Sequence, residues 1–124
     1  MTGPYPLGWV EVRINKRWYG VIEASHILWK KNFDVFEKLF GLYGHEDEAV
    51  APYRGIPRDA SFEVKEHPLI DELTAFGHTW ISYRELKENE EILTEDWKLL
   101  LKMMDALAEH YGEENVRLVI WFDE

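Results

Sequence analysis

The 124-residue chain contains no cysteine. That one absence excludes disulfide staples, thiol nucleophiles and cysteine-ligated zinc together, and it fits a reducing compartment. No apolar run approaches the ~20 residues a membrane-spanning helix needs. The opening Met1-Thr2-Gly3-Pro4-Tyr5-Pro6 lacks the basic region and apolar stretch of a signal peptide. Positive charge is scarce: 14 Lys and Arg stand against 24 Asp and Glu, for a net charge of −10. Phosphate contacts need a basic stripe, so unaided nucleic-acid binding is disfavoured. Gly-x-Ser-x-Gly, a glycine-rich phosphate loop and a dinucleotide fingerprint are missing too. These absences lead us to expect a cytoplasmic protein with no cofactor, no metal, no membrane contact and no direct nucleic-acid contact.

Core material is plentiful. The chain is 46% hydrophobic, with six each of Trp, Tyr and Phe, enough for one domain spanning residues 1–124. A domain this small has limited interior, so some aromatics should lie on the surface, where Trp and Tyr often mark an interface. Charge is unevenly placed. Residues 1–44 hold six Lys/Arg and four Asp/Glu, whereas residues 45–124 hold eight and twenty. The acidic part reads either as a solvated surface or as one matched to a basic partner.

The organising stretch is the last quarter. Trp97, Leu100, Leu101, Met104, Leu107, Ala108 and Tyr111 recur at the spacing of one helix face, with Thr94 as N-cap, Glu95 and Asp96 in the first turn and Gly112 as the stop. Val116 to Phe122 is β-branched and aromatic, as a mostly buried strand should be. Upstream, residues 1–7 read as a loose lead-in. Val10, Val12 and Ile14 alternate with Trp9, Glu11 and Arg13, which predicts a half-buried strand, and Trp18 to Ile22 can return as its hairpin partner after Asn15-Lys16-Arg17. Asn32 or Asp34 can cap a helix to Leu42, with Val35, Phe36, Leu39 and Phe40 inside. Residues 45–58 read as an extended loop. Asp59 can cap a turn over Ala60 to Glu66, and Pro68 can open a helix whose inner face is Leu69, Ile70, Leu73 and Phe76, stopped by Gly77. His78 to Ser82 fits a short strand or an extended connection, and Ser82 with Glu85 forms a capping box for Tyr83 to Asn89. The sum is an α+β fold. Its small antiparallel sheet consists of the N-terminal hairpin plus the C-terminal strand, covered by a long C-terminal helix and two to three shorter helices.

Several side chains could carry chemistry. His78 stands at the junction of two elements, where a base or ligand could be presented, although a histidine hydrogen-bonded to fix the junction explains it too. His67 and Asp71 have one-face spacing on a helix, but Pro68 places His67 at the boundary, so a helix-end contact is favoured over a metal pair. His45-Glu46-Asp47-Glu48 reads as a solvated acidic loop, and His110 as a complement to a helix dipole. Arg54 and Arg58 sit in an otherwise acidic region. One of them either staples its loop to Asp59 or a nearby Glu, which we favour, or presents a guanidinium to a partner.

Four pieces together resemble a family of small uncharacterised proteins of tailed phages and prophages. They are Val10-Glu11-Val12-Arg13-Ile14 with Trp18; Arg54-Gly55-Ile56-Pro57-Arg58-Asp59-Ala60-Ser61, similar to Arg-Gly-Leu-Pro-x-Asp-x-Ser; His78-Thr79-Trp80-Ile81-Ser82 with Glu85-Leu86, similar to His-Ser-Trp-Leu-Thr; and Val116-Arg117-Leu118-Val119-Ile120-Trp121-Phe122-Asp123. Family members often carry Gly-Cys-Asp-Ile-His near the start and an extra His before His-Ser-Trp. Here Leu7-Gly8-Trp9 and Phe76-Gly77 stand at those places. The resemblance implies a phage accessory gene product acting in the host cell, with no activity to carry over.

The expectation is a small acidic accessory protein that acts by protein–protein binding, such as a counter-defence inhibitor occupying a basic nucleic-acid-binding surface of a host protein. Its binding residues would be Arg54, Arg58, Trp80, Glu46, Asp47, Glu48, Glu90 and Glu91. The alternative is a metal-dependent hydrolase or nuclease-like enzyme centred on His78 with Glu85 or Asp59. A homo-oligomeric phage component is the third reading.

Overall fold

The computed structural model describes residues 4–30 and 32–124. Among these, four strands form one antiparallel sheet in the order β2-β1-β4-β3. β1 (Tyr5–Ile14) and β2 (Arg17–Glu23) make the hairpin, β4 (Val116–Asp123) is central, and β3 (Phe76–Ser82) forms the far edge. The helices are α1 (Phe33–Phe40), a single-turn α2 (Phe62–Lys65), α3 (Tyr83–Glu88) and the long α4 (Asp96–Tyr111). The α+β expectation is met: hairpin and C-terminal strand share a sheet, and the long helix is C-terminal.

Asn15 and Lys16 turn the hairpin with φ of 53° and 68°, the left-handed pair that matches the twist of adjoining strands. β4 is buried along its whole length, and its two-residue period feeds two cores. Val116, Leu118, Ile120 and Phe122 enter the larger, with Val35, Phe36, Leu39 and Phe40 of α1 and Trp97, Leu100 and Met104 of α4. Each such side chain, taken fully out of water, contributes ~1.5–3 kcal/mol. Val119 and Trp121 enter the smaller core, with Leu7, Ala60 and Val64, and Trp9 and Trp80 pack at its margin. The sheet therefore has a helical layer on one side and α2 with its flanking turns on the other. This corrects the half-buried reading of β1: Glu11, expected to face solvent, is 0% exposed.

Other local readings change as well. Residues 1–3 of the expected lead-in lie outside the described residues, and Tyr5, Pro6 and Leu7 are strand, paired with Asp123, Phe122 and Trp121. β2 reaches only as far as Trp9, so Pro6 lies where β1 has a neighbour on one side and its missing N–H breaks no ladder. The expected helix from Pro68 is a series of turns. Leu69, Ile70 and Ala75 pack on the smaller core from those turns, Leu73 is 103% exposed, and Phe76 already begins β3. Gly77 is no helix stop. It has φ +70° inside β3, where the register shifts between Phe76 and Thr79. The caps move too. Ser61, not Asp59, caps α2, and Glu95, at φ 46°, takes the N-cap position of α4, while the Thr94 hydroxyl accepts from Asn32. Of the two caps offered for α1, Asn32 takes the position, the helix stops at Gly41 short of Leu42, and the Ser82–Glu85 capping box stands as expected.

Both sheet edges are occupied. On β2 the Gly20 N–H donates to Glu63 Oε1 at 3.0 Å. A Cβ at Gly20 would stand 2.8 Å from that of Glu63, so only glycine lets α2 lie so close. Along β3 the Gly55 N–H donates to His78 O at 2.9 Å and Arg54 Nη1 donates to Trp80 O at 3.2 Å.

Candidate functional site

Two side-chain networks join segments that lie far apart in the sequence. In the first, Arg54 places Nη1 2.8 Å and Nη2 2.7 Å from the two Glu85 oxygens, a bidentate pair. Arg54 also donates to Val50 O, and its guanidinium lies 4.6 Å from the Trp80 ring centroid. The Arg54 guanidinium holds the Glu85 carboxyl below the usual carboxylate range, and the Ser82 N–H acts in the same direction. Arg54 is thus a staple whose donors are committed, and Trp80 is half-buried beneath it. The stapling role favoured for Arg54 is formed, with Glu85 as its acid. Arg58 is exposed, with no ion pair among the described residues.

The second network centres on a buried pair and runs out to the exposed Asp59. Glu11 on β1 faces Arg117 on β4, with Arg117 Nε 2.6 Å from Glu11 Oε1, while the Ser61 N–H donates to Glu11 Oε2 at 2.7 Å. Arg117 Nη2 reaches Asp59 Oδ1 at 3.1 Å, and Trp18 Nε1 donates to Asp59 Oδ2 at 3.1 Å. The Arg117 guanidinium stacks 3.8 Å from the Trp18 ring centroid. Asp59 thus ties the loop to the sheet instead of capping a helix. Sequence reasoning missed this network. Its signal was one charged residue at the same phase of each apolar strand, Glu11 between Val10 and Val12 and Arg117 between Val116 and Leu118.

The histidines are structural in their contacts. His78 Nε2 lies 2.8 Å from Ile70 O, and its ring stacks at 8° on Trp121, whose edge also meets His67. Glu85 and Asp59 are engaged elsewhere, so the His78–carboxylate pairing that the hydrolase reading needs is not assembled. His67 Nδ1 accepts from the Leu69 N–H and its Nε2 lies 3.7 Å from Glu23, so His67 and Asp71 share no helix face. No group of three or more potential ligands is poised around a metal among the described residues. No helix there is long and apolar enough to cross a membrane.

The two acidic segments, by contrast, border a common cleft. Glu46–Glu48 form an exposed 3₁₀ turn, and Glu90–Ile92 form another. A cleft of about 410 Å³ lies between these segments, lined by Glu37, His45 and Glu48 on one side and Asn89 and Ile92 on the other. Lys38 also lines it but is paired with Asp34 at 3.1 Å. Exposed rings border this surface. Tyr43 donates its backbone N–H to Glu37 at 2.7 Å and meets Phe33 edge-on at 6.3 Å. Partial burial raises the Tyr43 and Tyr53 phenols above their ordinary value, and nearby acids add to this, Glu37 for both and Glu46 for Tyr53. The His45 ring is hydrogen-bonded to Glu37, which raises its pKa. Comparison with protein-family models, with curated proteins and with solved structures found no match to this chain.

Proposed function

We propose that the chain is a small acidic phage accessory protein that works by binding, its acidic and aromatic face covering a basic, nucleic-acid-binding surface of a host protein inside the host cell. The supporting observation is a cleft that Glu37 and Glu48 line, bordered by the acidic 46–48 and 90–91 segments, with Tyr43 and Tyr53 exposed and close to Glu37. Clustered acids steer a basic partner and fix its orientation, while rigid rings supply buried contact at low entropy cost. Of the binding residues expected from sequence, the acidic set suits this role most directly, while Arg54 and Trp80 also hold the loop to the sheet edge.

The test is a low-salt pull-down from host lysate with the wild-type chain and a Glu46→Lys/Asp47→Lys/Glu48→Lys variant, followed by a nucleic-acid-binding assay on whatever is captured. The reading requires that the wild-type chain block nucleic-acid binding by the captured protein and that the variant fail to do so. Capture by both alike, or no loss of nucleic-acid binding, would overturn it.

A further inference from the structure

Several cations of this acidic chain are spent on internal pairs: Lys30 with Glu95, Lys38 with Asp34, Arg84 with Glu113, Lys87 with Asp105. Lys16, Arg17, Arg58 and Lys65 have no ion pair among the described residues. Two of these meet at one place, and the other two adjoin it in the chain. Arg17 and Lys65 line a recess of about 500 Å³ between the hairpin and α2, and Lys16 and Arg58 are chain neighbours of its lining residues Arg17 and Asp59. Its acids are already engaged. Asp59 accepts from Arg117 and Trp18, and Glu63 accepts from the Gly20 N–H. Two rings line the recess with their surfaces free: Tyr19, and Phe62 at 73% exposure. A single-turn helix gains little from leaving a phenylalanine in water, and the larger core is on the other side of the sheet.

We propose that this recess is a second docking site, which takes an acidic segment of a protein partner that carries an aromatic residue. The unpaired cations receive the carboxylates, and Phe62 with Tyr19 receives the ring. Charge complementarity selects a short acidic segment over a nucleic-acid strand. Residues 45–124 carry eight Lys/Arg against twenty Asp/Glu, so a polyanion extending past the recess meets repulsion. The site lies across the sheet from the acidic cleft, because α2 packs on the smaller core while α1, Val50 and Ile92 pack on the larger. Its occupancy is therefore independent of the function proposed above.

An NMR titration of the labelled chain with a short peptide, four glutamates around a central phenylalanine, tests the site. Amide shifts should concentrate at Arg17, Trp18, Tyr19 and Phe62, and affinity should fall about tenfold or more in Arg17→Glu/Lys65→Glu. Phe62→Ser should weaken binding with the charge unchanged. Lys98→Glu/Lys102→Glu changes net charge by the same amount through two other unpaired lysines, on α4, and should leave affinity within about twofold. Shifts absent from the recess, equal weakening by the α4 variant, or tighter binding of a single-stranded oligonucleotide at the same residues would each overturn the proposal.

Discussion

Glu11 and Arg117 are register partners across β1 and β4, and their side chains close a 2.6 Å ion pair inside the smaller core's side of the sheet. Charges out of water are tolerated only in company, and here the Ser61 N–H, Asp59 and the Trp18 ring supply it. Glu11→Ala should therefore cost about 3–5 kcal/mol, because it strands the Arg117 guanidinium. The paired change Glu11→Leu/Arg117→Met should cost clearly less than the two single changes summed, with a remainder of about 1–3 kcal/mol for the Ser61 N–H left without an acceptor. Urea unfolding of the wild type, Glu11→Ala, Glu11→Leu, Arg117→Met and the paired variant measures both. Additive losses would show that the pair is not coupled.

Glu85 provides a pH signature. Its carboxyl is held low chiefly by Arg54, so the folded chain binds its proton less readily than the unfolded chain does. The resulting stability is present above the ordinary carboxylate range and is lost as pH falls through the folded value. Glu85→Gln keeps the cap on α3 but not the ion pair. The stability gap between wild type and Glu85→Gln should be open at about pH 6 and close towards about pH 3. Urea midpoints across that range check it, and a gap independent of pH would refute the assignment.

His45 has the opposite sign. Hydrogen bonding to Glu37, and then its charge, raises the imidazole pKa, so the pair's contribution is present in acid and fades as pH rises through the folded value. An NMR titration should place His45 above its ordinary value in the wild type and return it downward in Glu37→Gln. His110 gives a reference ring on a different element in the same spectrum.

Lys16 holds a left-handed conformation at φ 68° that glycine adopts freely. Lys16→Gly should raise stability by roughly 0.5–1 kcal/mol, the left-handed strain relieved less the added freedom of the unfolded chain. It also removes one of the recess cations, so the same variant should unfold later in urea and bind the acidic peptide less tightly.

Much of the framework was legible because local chemistry and tertiary packing agree there. The Ser82–Glu85 capping box, the Asn32 cap with Gly41 closing α1, and the β-branched run of β4 each specify one conformation. The helix expected after Pro68 failed because Leu69 and Ile70 are buried from turns, and a three-and-four spacing over so few residues does not distinguish the two. Asp59 failed as a cap because Arg117, 58 positions away, competes for the same carboxylate. The acidic residues of the candidate site were visible as a surplus, but that the 45–48 and 89–92 segments border one cleft depends on how they pack. No local pattern encodes that.

Glu63 against Gly20 on one border of the sheet, and Arg54 with Gly55 along the other, leave no row of free amides and carbonyls at those points for another polypeptide to extend. A second polypeptide adding a strand at either border would first have to displace these bonds.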